Sequence, residues 1–441
     1  MFQSKRPSTA GGRRKFRVGP VLSVFLIICY AGVSAWFLIG RPEAIPEPPE
    51  QEEEEYAAGP PVVIFPESAG DPPLDSGSGA PGAGAVAAMP PAVKVKGMYY
   101  SSYRAAEDES IARFIELSRT SEINAIVIDV KNDSGEITFI TETQWLSETA
   151  RLIIPDIEGL VANLKSHGIY TIARVVCFKD PVWCAKHPEA AIQTSWGERW
   201  RDRSGISWLD PYKTEAWDYL AAVCLEAARV GFDEVQLDYV RFPADGDLSD
   251  IDFGAAGEEK TKPEIIGEFA AYVRELLAAE GVRLSADVFG IVAVSNSDAN
   301  NIGQNLGILL QNTDSICPMI YPSHFANKKQ NGTGSIVNGV LFEKPDFQPY
   351  DVVYNILIAT GQHLKDDAGQ GVVRPYLQDF TASYLGEGYY QKYTAQQVRE
   401  QIKAVYDAGF DEWILWNHIS IYTEDAFLPV EVQVLGGYQN E

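Results

Sequence analysis

The feature that most limits how this chain can fold is an alternation. Eight short runs rich in β-branched and aromatic residues, at 96–100, 125–130, 170–178, 234–240, 284–289, 315–321, 373–380 and 412–417, punctuate the sequence from residue 93 onward. Segments with helical spacing lie between and after them, at 107–119, 157–167, 214–229, 263–279, 302–311, 352–365 and 394–408. Start and stop signals support several of these. Pro155-Asp156 precedes one helix, Pro263 sits in the first turn of another and Thr394 can cap a third, while Gly168, Gly231, Gly281 and Gly409 follow helix ends. Strands that each feed a crossover helix pair in parallel, and eight is the number that closes a ring, so the expected fold is a (β/α)8 barrel over 93–441. An open doubly wound sheet is the alternative.

Side-chain parity sharpens that expectation, because strand residues alternate between the barrel interior and the helix layer. Leu284, Ala286 and Val288 are apolar and should face the helices, which turns Ser285, Asp287 and Phe289 inward. Val235 and Leu237 likewise send Gln236 and Asp238 inward, and Ile126, Ile128 and Val130 send Asp129 and Lys131 inward. On the third strand Ile172 and Val176 share parity with Arg174, so that strand gives no clean answer.

Upstream of the barrel the chain is organised for export. Residues 1–17 hold Lys5, Arg6, Arg13, Arg14, Lys15 and Arg17 with no acid, and are expected as a cytoplasmic basic tail. The run 18–40 carries no charge; its 23 residues span about 34 Å as a helix, enough for a hydrocarbon core of about 30 Å. The charge asymmetry predicts a single-pass signal-anchor in the lipid bilayer of the cell membrane with the N-terminus cytoplasmic. A cleaved signal ending near Val33-Ser34-Ala35 is the rival, and both routes carry the rest of the chain outside. Residues 41–92, with twelve prolines, ten acids and one base, read as a disordered linker. Gly77-Ser78-Gly79-Ala80-Pro81-Gly82 formally fits a dinucleotide-binding pattern but lacks a strand before it and a helix after it.

The barrel region has 29 bases against 51 acids, a surface that repels phosphate backbones, so nucleic acid is excluded as a partner. Five cysteines form no CxxC pair, and no zinc, Walker or HExxH pattern occurs. Asp245, Asp247, Asp250 and Asp252 lack the glycine and terminal glutamate of a calcium loop. No cofactor and no metal is expected.

The chemistry-bearing residues gather at strand C-terminal ends, where barrel enzymes build their sites. Asp238 ends the fourth strand in Leu237-Asp238-Tyr239-Val240-Arg241-Phe242-Pro243, and Asp287 ends the fifth in Ser285-Ala286-Asp287-Val288-Phe289-Gly290. Neighbouring strands lie about 4.8 Å apart, so two inward carboxylates at these tips meet. Such a pair serves glycoside hydrolysis, with Asp238 as nucleophile or base and Asp287 as acid. A lone acid at a strand end can instead bond loop amides or pair with arginine. Tyr99, Tyr321, Trp208 and Trp416 offer flat faces for sugar rings, alongside Trp183, Trp196 and Trp200. Asp129, Arg174, Arg241, Gln378 and Asn417 are candidates for binding hydroxyls or orienting a carboxylate, and His324 for lining the site. Two other outcomes stay open: a glycan-binding barrel without catalysis, and a metal-dependent hydrolase or lyase using Asp129, Asp238 and Asp287.

Gly97-Met98-Tyr99-Tyr100, residues 124–131, the Asp238 and Asp287 segments and Pro318-Met319-Ile320-Tyr321-Pro322 together resemble the bacterial "putative glycosyl hydrolase domain", a domain of unknown function near the α-amylase-like barrels. The resemblance covers roughly residues 94–425 and implies a (β/α)8 barrel acting on a glycan. It departs from the α-amylase pattern. Gln236 stands where an arginine precedes the fourth-strand aspartate, Asp287 replaces a glutamate, and Gln378-Asp379 replaces a His-Asp pair. The resemblance therefore supports Asp238 better than Asp287.

Overall fold

The computed structural model describes residues 92–365 and 371–430. The basic tail, the run 18–40 and all of the linker but its last residue lie outside the described residues. Among the described residues no helix is long and apolar enough to cross a membrane.

Eight parallel strands close a ring. They are β1 (Lys96–Tyr100), β2 (Ala125–Lys131), β3 (Tyr170–Val176), β4 (Glu234–Asp238), β5 (Arg283–Phe289), β6 (Ser315–Met319), β7 (Val372–Val373 and Tyr376–Gln378) and β8 (Trp413–Trp416). Each pairs with its neighbours in sequence, and β8 pairs with β1. The seventh strand, expected as one run, is two pieces. Pro375 between them has no N–H to give a ladder, although its carbonyl still accepts from Ile414.

The helices follow their local chemistry. Asp156 caps Ile157–Ser166 by accepting from the Gly159 amide, and Thr261 with Glu264 and Thr394 with Gln397 close capping boxes. The single helix expected over 302–311 is instead two, Asn296–Ile302 and Leu306–Asn312. Gly303 breaks it: its φ of +83° is left-handed, and a side chain there would meet the Lys262 carbonyl oxygen at 2.9 Å. Asn305 then starts the second piece by capping Ile308.

The core divides into two layers with the expected parity. Ile126, Ile128, Val130, Val235, Leu237, Leu284, Ala286 and Val288 pack in the helix-facing layer. Val127, Ile172, Cys317, Met319 and Tyr376 fill the interior. Gln236 and Ser285 are inside as predicted, the first bonded to Tyr376 and Cys317, the second to Glu234. Lys131 is the exception. The β2–β3 register shifts between Asp129 and Lys131, a bulge that turns Lys131 out of the barrel. Its ammonium is fully buried against Asp180 at 2.9 Å, over the Tyr219 ring and bonded to the Val176 carbonyl.

Candidate active site

The C-terminal ends of the strands open into a cavity of about 520 Å³, within the range of small-molecule sites. Strand residues Tyr99, Arg174, Asp238, Asp287, Met319 and Tyr376 line it, together with Tyr321 just beyond β6 and Trp416 at the end of β8. The connections add Asp133, Lys179, Tyr239, His324 and His418.

Arg174 is the hub. Its Nε and Nη2 donate to Asp238 Oδ2 at 2.9 and 2.6 Å, its Nη1 to Asp129 at 2.6 Å and its Nη2 to Asp133 at 3.1 Å. Burial works against the guanidinium, but the aspartates Asp133, Asp238 and Asp129 raise its pKa well above the ordinary value. Tyr99 donates to the other oxygen of Asp129 at 2.7 Å. The Tyr239 amide donates to Asp238 Oδ1 at 2.6 Å, from a backbone held at φ +50°. That left-handed turn is costly for a tyrosine and ends the strand directly after the aspartate. Asp238 thus accepts charge-assisted bonds in a fixed orientation.

Asp287 lives in the opposite environment. By register it lies one step beyond the Leu237–Ala286 pair, beside Asp238. It is 2% exposed, and its Oδ1 has no hydrogen-bond partner among the described residues. Burial first, and the nearby Asp238 charge second, push its pKa well above the usual carboxylate range. Gly290 makes the close packing behind it possible, since a side chain there would meet the Met319 carbonyl oxygen at 2.5 Å.

Aromatic rings form one wall. Trp416 stacks with Tyr99 and Tyr321, at 6.3 and 5.7 Å between centroids, and His324 meets the edge of Tyr321. Burial lowers the His324 pKa to about 4, so its imidazole is neutral at neutral pH.

Of the residues singled out in the sequence, Tyr99, Arg174, Asp238, Asp287, Tyr321, Trp416 and His324 line the cavity, and Asp129 stands just behind Arg174. Trp208, Arg241, Gln378 and Asn417 do not line it. Trp208 donates to Asp202, and Arg241 lies over the rings of Trp208, Tyr239 and Phe289. Gln378 bonds Asp346 and the Ser323 amide, and Asn417 bonds the Asp379 carbonyl. The other loop tryptophans also pack elsewhere: Trp183 stacks on Tyr219 and Trp200 donates to the Asp247 carbonyl, while Trp196 is exposed. The cation beside Asp238 is therefore Arg174 of β3 and not the nearby Arg241. Asp133, Lys179, Tyr239 and Tyr376 escaped the sequence reading. Tyr239 had a visible signal, its place directly after Asp238; Asp133 and Lys179 lie two and three residues past strand ends, where side-chain direction is not periodic.

The arrangement can donate one proton and present one carboxylate to the same small molecule. Among the described residues no group of three or more His, Cys, Asp or Glu is placed to hold a metal ion. The guanidinium of Arg174 fills the space between Asp129 and Asp238 that a shared ion would need.

Comparison with known proteins bears on the family and the fold. A family model described as "putative glycosyl hydrolase domain" matches residues 97–422. Among solved structures, a hypothetical protein from Ruminiclostridium thermocellum ATCC 27405 is 38% identical over 43% of this chain and 97% of its own, with a TM-score of 0.40. The PgaB (BpsB) glycoside hydrolase domain from Bordetella bronchiseptica is 13% identical over 74% of this chain and 94% of its own, with a TM-score of 0.53. The latter likeness is one of fold. No curated protein matches the chain.

Proposed function

The chain belongs to the family of the "putative glycosyl hydrolase domain", and from that premise we propose that it hydrolyses a glycosidic bond in a poly- or oligosaccharide. One observation carries the reading: two neighbouring strand tips present carboxyl groups of opposite character to a single cavity. Asp238 is tied to a guanidinium, whereas Asp287 is buried with one oxygen unpartnered and its pKa raised. In the proposed reaction Asp287 gives its proton to the glycosidic oxygen as the bond to the anomeric carbon breaks. Asp238 stabilises the positive charge growing on the sugar, either attacking the anomeric carbon to form an ester that water then cleaves while Asp287 takes the water's proton, or taking a proton from a water that attacks directly. Tyr99, Tyr321 and Trp416 supply the surface on which a sugar ring rests.

The test is to make Asp238→Asn and Asp287→Asn, confirm that melting is retained, and assay a panel of cell-wall and plant polysaccharides. Full activity in either variant removes that residue from the mechanism. Retention of polysaccharide by the wild type without turnover would instead indicate a binding barrel.

We also propose that residues 18–40 hold the barrel at the outer face of the cell membrane, on the strength of that uncharged run and the bases before it. Fractionation of cells producing the full chain should leave it in the membrane pellet, with the barrel open to added protease. Recovery of a shortened chain from the medium would identify a cleaved signal, and recovery from the cytosol would overturn the proposal.

A further inference from the structure

Lys179 has no role in the reaction just described, yet it is a lysine placed in the cavity wall with only 7% exposure. An ammonium has three protons to donate. Among the described residues Nζ makes one hydrogen bond, 3.3 Å to the Tyr239 hydroxyl, and lies 4.5 Å from the centre of that ring. Its ionic partner is Asp133, and there the separation is 3.9 Å. That is too long for a hydrogen bond. Asp133 is half exposed, and Arg174 already bonds its other oxygen at 3.1 Å. The cavity wall therefore holds a donor and an acceptor of opposite charge, too far apart to bond each other and joined through the Tyr239 hydroxyl, so that the remaining protons of Lys179 and the exposed side of Asp133 can face one small group.

The geometry points to Lys179 and Asp133 as a clamp for a neutral sugar hydroxyl, and so to an uncharged glycan as the substrate at this subsite. A hydroxyl is both acceptor and donor: it takes a proton from Lys179 and gives its own to Asp133. A uronate carboxylate could satisfy Lys179 but would meet Asp133 with like charge. An amino-sugar ammonium could satisfy Asp133 but would meet Lys179. The two charges thus select by exclusion on both sides, each disfavouring a group of its own sign. This inference rests on the glycoside hydrolase reading.

The experiment separates the two. Asp287→Asn serves as the binding form, and turnover of the same sugars by the wild type tests the hydrolase reading on its own. Calorimetric titration of that variant with three sets of oligosaccharides, neutral, uronate-bearing and amine-bearing, should show binding to a neutral set only. Adding Lys179→Met or Asp133→Asn should weaken that binding about ten- to hundredfold. Asp133 is half exposed, so its variant remains informative should Lys179→Met fail to fold. Preferential binding of a charged set, binding to none of the three, or neutral binding untouched by Asp133→Asn would each overturn the clamp. No turnover of any set by the wild type would overturn the hydrolase reading and leave the binding result to stand by itself, and turnover by Asp287→Asn at the wild-type rate would remove Asp287 from the mechanism.

Discussion

Two buried arginines occupy the barrel interior, and they do different work. At the bottom Arg374 donates to Glu412 at 2.8 Å, to Glu234 at 2.7 Å and to Ser315 at 3.3 Å. Glu234 also accepts from Tyr170 at 3.0 Å and from Ser285. Each charge there has its partners in the protein. At the top Arg174 gathers three aspartates, yet the carboxyl next to them, Asp287, keeps an unpartnered oxygen, and an open cavity lies above. The same chemistry, a guanidinium among carboxylates, is paired within the protein at one end of the barrel and left unfinished at the other. Unfinished polar groups cost stability, and barrels keep that cost at the end where substrates enter.

The sharpest way to break this contrast is to disarm each end in turn. Asp238→Asn and Asp287→Asn should each lower kcat by about a thousandfold or more. For Asp238→Asn melting should change little, because Arg174 keeps Asp129 and Asp133. Arg374→Met should do the reverse, losing about 3–5 kcal/mol of stability by stranding Glu234 and Glu412. Rate constants for whatever remains folded should be normal. A bottom variant that folds stably but is inactive would erase the distinction. Next in size, Arg174→Lys retains charge but loses the fork that holds Asp238, and a ten- to hundredfold fall in kcat/KM is expected.

A smaller effect tests the unpaired carboxyl itself. The folded state raises the Asp287 pKa, so between the ordinary value near 4 and the raised one it binds a proton that the unfolded chain has released. Stability therefore falls as pH rises through that window. Asp287→Asn removes the penalty, and its melting temperature should exceed that of the wild type increasingly from pH 4 upward. A constant difference across pH would show that Asp287 is not held neutral. In the wild type, hydrolysis should fade on the alkaline side as the same proton leaves. Smallest of all, Trp416→Ala should raise KM about three- to tenfold by removing a stacked face.

Much of the fold was legible because parallel strands announce themselves twice, by apolar density and by the glycines that end the intervening helices. The boundaries of β1 and β5 agree with the sequence reading within one residue. What it missed turns on local breaks of period. Gly303 splits a helix, Pro375 splits a strand, and the β2 bulge turns Lys131 outward. In the candidate site, Asp238 and Asp287 were legible because flanking Val235, Leu237, Ala286 and Val288 fixed their parity. Arg174 was not resolved as the partner of Asp238, because Ile172 and Val176 flank it at the same parity with apolar side chains. Arg241 stood beside it as a candidate for being near in sequence, whereas the pairing is made across strands. Trp208 had the right chemistry for a sugar surface but spends it packing under Arg241.

The β2 bulge has a consequence for change by insertion and deletion. One surplus residue at this strand tip lets Asp129 look into the chamber while Lys131, two positions on, props up the scaffold outside it. Loss of that residue would leave Asp129 against Arg174 and Lys131 against Val175 in an unbroken ladder, with the Lys131 ammonium still directed outward to Asp180. A missing codon for Val130 should therefore spare both chamber and strut, where loss of Asp129 or of Lys131 would remove one of them.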